Sequence, residues 1–154
     1  MHLTDAGGAF VSALPGAVAF DSATSFALIR GGHLDMTVLG GLQVDRHGRL
    51  ANWMIPGRLV PGMGGAMDLV SGARRVVVAM NHTQKGASKI VDELTLPATS
   101  VRPATLVVTE MAVIEPTLEG LVLRERAPGI SVDAIRAATE TTLLVSGTVP
   151  EMIL

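Results

Sequence analysis

Short apolar runs separated by glycine, proline and polar turns follow one another along the chain. The first clear run, Ala23–Arg30, has the composition of a short helix. Asp21 or Ser22 can cap its N-terminus, because side-chain oxygens satisfy the free N–H groups of the first turn. Gly31 and Gly32 can end it, because glycine tolerates the left-handed C-terminal position. The first regular element is therefore predicted to be a helix.

The residues after this helix predict a strand and then a hairpin. Leu34–Leu39 supplies the aliphatic and β-branched residues of a strand, and a Gly-Gly pair interrupts the run before Leu42–Val44 resumes it. The polar residues 45–48 form a turn signal, and Leu50–Trp53 returns. These last two apolar segments are therefore predicted to pair.

A shaped loop, a helix and a buried strand are predicted for the middle of the chain. Met54–Gly65 contains two prolines and four glycines and lacks the periodicity of a regular element. Ala66–Ala73 consists mostly of helix-forming residues. Val76–Met80 is a continuous apolar run, as expected of a strand in a parallel sheet with both faces covered.

The second half of the chain is predicted to hold a polar loop at Asn81–Ser88, further strands and one more helix. Ser131 can cap this helix, and the spacing of apolar residues over 132–138 is helical. The tail Thr141–Leu154 is apolar but contains glycine and proline, so it is either an edge strand or a docked tail. The further strands are Leu106–Thr109, Met111–Ile114 and Gly120–Arg124.

Composition narrows the fold class. The 154 residues fit one domain, residues 1–154, and no repeat or linker divides them. Hydrophobic residues make up 48% and aromatic residues only 3%, so aliphatic side chains and methionine must fill the core. We therefore expect an α/β fold with a largely parallel sheet and helices on both faces.

Charge and cysteine content exclude several classes of function. A net charge of -2 without a basic stripe gives no electrostatic footprint for nucleic acid. The absence of cysteine excludes disulfides and thiolate chemistry. The longest uncharged stretch, Ala6–Phe20, contains Pro15 and is shorter than the roughly 20 apolar residues of a membrane helix. Asp5 and the lack of early lysine or arginine do not fit a secretion signal, so we expect a cytoplasmic protein. A mean hydropathy of +0.45 suggests that another chain covers part of the surface.

The glycines that precede the middle helix are the first candidate site. Gly62, Gly64 and Gly65 would let main-chain N–H groups approach a ligand closely, and the helix start adds a positive partial charge suited to an oxyanion, carboxylate or phosphate. A structural turn that packs the helix against a sheet is the alternative. The spacing fits neither the Walker motif nor the dinucleotide fingerprint.

Histidines and lysines offer no further site by spacing. The four histidines lack paired ligand spacing and have no cysteine companion, so no metal site is predicted. Lys85 and Lys89 are predicted to be solvated charges that flank a loop. We expect His33 to satisfy a backbone group and His47 to lie in the solvated hairpin turn. The remaining two histidines are His2 and His82.

Seven motifs occur in an order that is characteristic of one enzyme family. They begin with Arg-Gly-Gly-His-Leu-Asp at Arg30–Asp35, and they cover almost the whole chain. In these motifs the chain resembles the B-type subunits of 3-oxoacid coenzyme A transferases. The other six are Leu50–Gly57, Gly62–Leu69, Lys89–Ile90, Thr95–Pro97, Thr109–Val113 and Ala127–Val132.

This resemblance implies a fold, a reaction and a partner. The architecture would be that of coenzyme A transferases, which is related to that of phosphosugar isomerases, and the partner an A-type subunit in a hetero-oligomer. Coenzyme A (CoA) would move between an acyl-CoA such as succinyl-CoA and a 3-oxo acid such as acetoacetate, as a substrate and not as a permanently bound cofactor. The substrate or CoA would contact Asn52, Gly62, Gly64, Gly65 and Ala66.

The resemblance also points to a missing nucleophile. The family's catalytic glutamate lies in a Ser-Glu-Asn-Gly motif, upstream of the segment that matches Leu3–Gly7, and residues 1–154 contain no such motif. The resemblance therefore implies that this glutamate lies upstream of Met1. We expect a domain truncated at its N-terminus and inactive alone, with no catalytic residue of its own. Glu110 lies in an ordinary strand motif of the family, where a structural role is expected.

Four residues depart from the family pattern. Gly8 stands where relatives commonly have a lysine near CoA, and Asn81 where they usually have glutamate. Ala98 and Ser100 replace residues of the usual Leu-Thr-Gly. With the missing nucleophile segment, Gly8 and Asn81 leave open a noncatalytic remnant that only pairs with a partner. The generic glycine loop leaves open a phosphosugar-binding α/β protein, which binding of sugar phosphates, but not of CoA, would stabilise.

Overall fold

The computed structural model describes residues 3–5, 8–57 and 62–153. Within them lie three helices, all at predicted positions: α1 (Ser22–Arg30), α2 (Ala66–Gly72) and α3 (Val132–Ala138). Asp21 caps α1, because its carboxylate accepts the Thr24 N–H at 2.7 Å. The Ser131 hydroxyl caps α3 by accepting the Ala134 N–H at 3.1 Å.

The strands confirm the predicted hairpin and the apolar runs. In chain order they are β1 (Leu3–Thr4), β2 (Phe10–Val11), β3 (Met36–Gly40), β4 (Gln43–Asp45), β5 (Leu50–Ala51), β6 (Arg75–Ala79), β7 (Thr83–Gln84), β8 (Ala87–Ser88), β9 (Ile90–Val91), β10 (Leu106–Val108), β11 (Ala112–Thr117), β12 (Gly120–Arg126) and β13 (Leu143–Leu144).

Six strands form the main sheet in the order β13-β12-β11-β10-β6-β3. The pairs β3–β6, β6–β10 and β12–β13 are parallel, and β10–β11 and β11–β12 are antiparallel. The sheet is therefore mixed, although parallel pairs predominate. The antiparallel part follows from short connections: only Leu118 and Glu119 separate β11 from β12, and parallel neighbours need a longer crossover.

Within the described residues there are three smaller sheets besides the main one: β1-β2, β5-β4-β9 and β7-β8. The β4–β5 hairpin pairs as predicted, and β9 adds to it in parallel. The segment predicted as a polar loop, Asn81–Ser88, contains a β7–β8 hairpin whose turn holds Lys85 at φ 53° and Gly86 at φ 81°. Apolar periodicity does not reveal such a hairpin, because none of its four strand residues is buried in the core.

The core lies between the main sheet and the elements that cover it. Val76, Val78, Val107 and Ile114 come from the sheet, and Ile135 of α3 packs with them. All five side chains are at most 1% exposed. Aliphatic residues therefore fill this core, as the composition predicts.

Helix α2 packs closely on α1. A Cβ at Gly72 would collide with the Ile29 carbonyl, so glycine is required where the two helices approach most closely. At the other end of α2, the Gly65 backbone lies against the Phe26 ring. The Asp68 carboxylate also accepts a hydrogen bond from Arg30 Nε at 2.7 Å. These contacts fix α2 along its length.

A buried aspartate organises the turn between β4 and β5. Asp45 is 0% exposed, and its Oδ1 accepts the N–H groups of His47 at 3.0 Å and Arg49 at 2.9 Å. Its Oδ2 accepts from the Arg49 side chain at 2.6 and 2.7 Å. Gly48 completes the turn at φ 77°, a left-handed conformation that favours glycine.

Apolar side chains on the first part of the chain are exposed. Phe10 is 81% exposed, Leu14 79% and Val18 78%, and Val38 on the edge strand β3 is 62% exposed. Several exposed large apolar side chains in one part of the chain are typical of a surface that another chain or segment covers. Within the described ranges, none of the helices has the length and hydropathy that a membrane crossing requires.

Candidate functional site

Asn52, the first predicted site residue, follows β5 and is held by Thr99. The Asn52 N–H donates to Thr99 Oγ1 at 3.1 Å, and this hydroxyl donates to Asn52 Oδ1 at 2.8 Å. The side-chain carbonyl oxygen of Asn52 is thereby occupied. No described residue accepts a hydrogen bond from Asn52 Nδ2, so the two N–H groups of the amide remain available for a ligand.

The predicted glycine loop leads into α2 as the sequence indicates. Gly62 has φ 89° and Gly64 φ 54°, so both need the conformational freedom of glycine. A Cβ at either position would meet no atom within 4 Å, which leaves open space over the backbone. Gly65 precedes α2 without a side-chain cap, and Ala66 donates its N–H to the Met63 carbonyl at 3.2 Å.

The structure does not join these two parts of the predicted site directly. Among residues 3–5, 8–57 and 62–153, no hydrogen bond links Asn52 to Gly62–Ala66. The intervening loop residues 58–61 lie outside the described residues. Whether all five predicted residues contact substrate or CoA stays a prediction.

The described residues near the start of the chain do not show where the predicted catalytic glutamate lies. Met1 lies outside the described residues, so a catalytic glutamate upstream of it, and with it a domain truncated at the N-terminus, stays a prediction. The first described residues form β1, which pairs with β2 apart from the main sheet. Between these strands, Gly8 has φ 83°, a conformation that side chains other than glycine rarely adopt.

Polar groups collect where the parallel strands β3, β6 and β10 end. The carboxyl ends of parallel strands share one edge of a sheet, which is where ligands of open α/β folds bind. Gly41 follows β3, His82 follows β6 and Glu110 follows β10. Lys89 reaches this edge from the segment between β8 and β9, since its Nζ donates to the Gly41 carbonyl at 2.7 Å.

His82 is the buried centre of this edge. Its ring is 0% exposed and lies between two hydroxyls, with Nδ1 3.0 Å from Thr109 Oγ1 and Nε2 2.9 Å from Thr139 Oγ1. Thr139 already donates its proton to the Ile135 carbonyl at 2.8 Å, so its oxygen accepts from Nε2–H. In this tautomer Nδ1 is an acceptor, and the Thr109 hydroxyl proton is shared between Nδ1 at 3.0 Å and the Ala112 carbonyl at 3.2 Å. The ring is neutral, and burial lowers the pKa of His82 below its usual 6.5, against the opposing effect of Glu110.

Acid should therefore destabilise the fold through His82. In the unfolded chain the imidazole binds a proton as pH falls through about 6.5, whereas the folded state resists protonation until a lower pH. The free energy of unfolding is thus unaffected by this group above about pH 7.5 and decreases between that pH and the lowered pKa. Chemical denaturation at about pH 7.5 and about pH 5.5 measures this decrease. It should shrink in His82→Gln, and an equal decrease in both proteins would contradict the assignment.

Lys89 is not the solvated charge that the sequence suggests. It is half-buried, and desolvation lowers its pKa, opposed by the charge of Glu110. Together with Leu42, Ile55 and Ser88 it lines a small cleft of about 170 Å³. Sequence reasoning missed this position because the spacing of a lysine in a polar loop does not show which carbonyl it can reach.

The matched lysine of the β7–β8 turn makes this correction testable. Replacing Lys89 with methionine should lower the free energy of unfolding by about 1 kcal/mol, because the hydrogen bond to Gly41 is lost. Lys85→Met should change it by less than about 0.5 kcal/mol, since Lys85 is exposed. Urea denaturation of both variants provides the comparison, and equal effects would restore the solvated interpretation of Lys89.

Glu110 and His47 have the roles that their contexts predict, and His33 does not. Glu110 Oε2 accepts the His82 N–H at 2.9 Å, which holds the ends of β6 and β10 together. His47 is exposed in the hairpin turn and accepts from Arg46 Nε at 3.0 Å. Within the described ranges, the expected backbone partner of the His33 ring is not seen, and the ring packs beside Gly31 instead.

In the part of the chain that the structure describes, no group of three or more acidic or histidine side chains could hold a metal ion.

Comparison with known proteins decides the family. The sequence profile of the family described as coenzyme A transferase matches residues 2–138. The chain belongs to the coenzyme A transferase family. Among relatives of this CoA-transferase chain, the beta subunit of the acetate CoA-transferase of Haemophilus influenzae is 51% identical over 98% of the chain. The B-type subunit of the succinyl-CoA:3-ketoacid coenzyme A transferase of Helicobacter pylori is 47% identical over 90% of the chain.

Solved structures confirm the fold of this CoA-transferase chain. An acyl-CoA transferase (YdiF) from Escherichia coli superposes with a TM-score of 0.81 over 97% of the chain at 23% identity. The decarboxylase AibA/AibB superposes with a TM-score of 0.70 over 86% of the chain at 24% identity. At these identities the likeness establishes architecture alone, and one architecture serves two reactions.

The CoA-transferase chain spans part of each protein that it matches. It covers 68% of the Haemophilus influenzae subunit and 67% of the Helicobacter pylori subunit. It covers 33% of the YdiF chain and 57% of the matched decarboxylase chain. The relatives' names identify them as the B-type or beta subunits of transferases.

Proposed function

We propose that residues 1–154 form the B-type part of a transferase that moves CoA between an acyl-CoA, such as succinyl-CoA, and a 3-oxo acid such as acetoacetate. The observation that carries this proposal is the match to the coenzyme A transferase family over residues 2–138, with 47–51% identity to B-type and beta subunits of such enzymes. We keep a cytoplasmic location as part of the proposal.

The reaction that the family likeness implies is covalent carboxylate catalysis. A glutamate carboxylate attacks the acyl-CoA carbonyl, the C–S bond breaks, and CoA leaves as its thiolate, so that an acyl-glutamyl anhydride remains. The thiolate then attacks the glutamyl carbonyl, which gives a glutamyl-CoA thioester and releases the first acid. The acceptor carboxylate attacks this thioester and receives CoA through a second anhydride. The glutamate belongs to a Ser-Glu-Asn-Gly segment, which residues 1–154 do not contain and which we place upstream of Met1.

Asn52 and the glycine loop would face that glutamate. Each attack on a carbonyl places negative charge on its oxygen, and donors fixed in advance stabilise this charge. The free Nδ2 group of Asn52 is one such donor, and the open backbone at Gly62 and Gly64 admits a substrate closely. Gly65 and Ala66 complete the proposed contact surface.

A short carboxylic acid such as acetate is a second candidate acceptor. Identity with the Haemophilus influenzae acetate CoA-transferase subunit is 51%, against 47% with the Helicobacter pylori succinyl-CoA:3-ketoacid subunit. The difference is small, and no described residue distinguishes the two acids. Both acids therefore belong in the assay.

An A-type subunit is the proposed partner. Phe10, Leu14, Val18 and Val38 are exposed apolar residues, which supports the proposal that another subunit covers this surface in the active enzyme. The expected inactivity of the isolated chain follows from the missing nucleophile motif.

Reconstitution tests the proposed function. The chain is co-expressed with an A-type subunit, either as residues 1–154 or with a Ser-Glu-Asn-Gly-containing segment of a family member fused before Met1. We expect transfer of CoA from succinyl-CoA to acetoacetate or acetate only with the segment present. Transfer by residues 1–154 without the fused segment would place a nucleophile within them. A stable complex that transfers no CoA in either form would favour a pairing role only.

A further inference from the structure

We infer that the segment Ala98–Arg102 positions both parts of the proposed site, with Thr99 and Arg102 as its positioning residues. The inference rests on the proposed function, because it concerns Asn52 and the loop Gly62–Ala66. It rests structurally on two sets of hydrogen bonds that leave this segment for two different parts of the chain.

Thr99 determines how the Asn52 side chain is presented. Thr99 is 2% exposed, and its own N–H donates to the Leu50 carbonyl at 2.7 Å, which anchors it to β5. Its hydroxyl accepts the Asn52 N–H and donates to Asn52 Oδ1. Because the hydroxyl proton fixes the carbonyl end of the amide, the NH₂ end is directed away from Thr99. Without this hydroxyl the amide can rotate and present an acceptor where the reaction needs a donor.

Arg102 closes the C-terminal end of α2. Its Nη1 donates to the carbonyls of Val70 at 3.1 Å, Ser71 at 3.0 Å and Ala73 at 2.6 Å, and Nη2 donates to the Arg74 carbonyl at 3.0 Å. Carbonyls in the last turn of a helix lack partners within it and carry a negative partial charge. A guanidinium with its planar set of donors satisfies several of them at once.

The position of the glycine loop depends on this contact, because α2 is only seven residues long. Isolated helices of that length are unstable, so α2 is maintained by its neighbours. Helix α1 holds one side through Phe26 and Ile29, and Arg102 holds the C-terminal end. Gly65 directly precedes α2, so movement of the helix is transmitted to Gly62–Ala66.

Ser100 connects the two positioning residues. Its hydroxyl accepts the Arg102 N–H at 3.1 Å in a local turn, so the departure from the family's glycine at this position is used within the segment. Thr99 and Arg102 thus flank a common turn. Thr99 is buried, and the Arg102 side chain donates to main-chain carbonyls. Both therefore act through other residues.

Kinetics of the assembled, segment-supplemented enzyme test the inference. Thr99→Val and Arg102→Met should each lower kcat by about tenfold, because misplaced donors weaken transition-state contacts. KM for the acyl-CoA should change less than about threefold. Thr99→Ser and Arg102→Lys should recover part of kcat, Thr99→Ser the larger part, because it retains the hydroxyl.

Two variants remote from the site serve as matched controls. Thr141→Val removes another buried threonine hydroxyl, which donates to Asp92. Arg126→Met removes another arginine that donates to carbonyls, those of Ile130 and Val149. Both should destabilise the protein to a similar degree while kcat of the folded enzyme stays within about twofold. An equal loss of kcat in the controls would mean that Thr99 and Arg102 act only through the stability of the fold.

Hydrogen exchange of residues 1–154 separates this inference from the proposed function. Thr99→Val should speed exchange of the Asn52 amide, and Arg102→Met that of amides in Gly62–Gly72, relative to the controls. These changes are expected even if no CoA transfer is found, in which case the proposed function alone fails. Unchanged exchange in both variants, or unchanged kcat in an active enzyme, would overturn the inference.

Discussion

Replacing Asp45 with alanine is expected to lower the free energy of unfolding by about 3 kcal/mol. The carboxylate is fully buried and accepts the N–H groups of His47 and Arg49 as well as the Arg49 guanidinium. Alanine leaves these donors without an acceptor in the β4–β5 turn. Arg49 is 38% exposed and regains some hydration, so the loss is smaller than that of a fully buried pair. Equilibrium denaturation at neutral pH measures it.

Glu93→Ala is the matched control for Asp45. Glu93 also pairs with Arg49, at 3.0 Å, but its side chain is 56% exposed, and solvent screens such pairs. Its removal should cost less than about 1 kcal/mol. If the two variants unfold at the same denaturant concentration, the buried turn is not the stabilising unit described above.

Replacing Asn52 with alanine should lower kcat of the assembled enzyme by about 100-fold, the second large effect. Alanine removes the Nδ2 donor proposed to stabilise the carbonyl oxygen during each attack. The effect should exceed that of Thr99→Val, because the latter misorients the donor without deleting it. Steady-state rates at saturating succinyl-CoA provide the measurement.

Asn52→Asp separates this role from a structural one. Aspartate keeps the acceptor for Thr99 and the shape of the side chain, so the fold should be retained, but it replaces the donor with a negative charge. We expect a loss of kcat at least as large as that of Asn52→Ala, with a similar melting temperature. A kcat within about threefold of wild type in both variants would exclude Asn52 from the site.

Much of the fold was predictable because the chain carries strong local signals. Asp21 and Ser131 cap α1 and α3 as expected, and the buried run at β6 forms a parallel strand. The polar turn at residues 45–48 gives the β4–β5 hairpin. The antiparallel β11 and the β7–β8 hairpin were not predicted, since pairing direction depends on connections that apolar patterns do not encode.

The candidate site was predictable only where it depends on residues that are neighbours in the sequence. Positive φ at Gly62 and Gly64 confirms the shaped loop before α2. Thr99, Arg102 and Lys89 were missed as partners because each acts on residues 28–48 positions away, at separations that spacing rules do not cover. Two signals were available: Lys89 opens a family motif, and Thr99 keeps the family residue between the two departures Ala98 and Ser100. The family match removes the support for a phosphosugar-binding protein.

The most direct test of the central claim is the rate of CoA transfer by the chain assembled with an A-type subunit and supplied with a Ser-Glu-Asn-Gly segment. The account predicts that CoA passes from succinyl-CoA to acetoacetate or acetate in this assembly, and that the rate collapses in Asn52→Ala. Absence of transfer in a stable, correctly folded assembly, or a rate independent of Asn52, would contradict it.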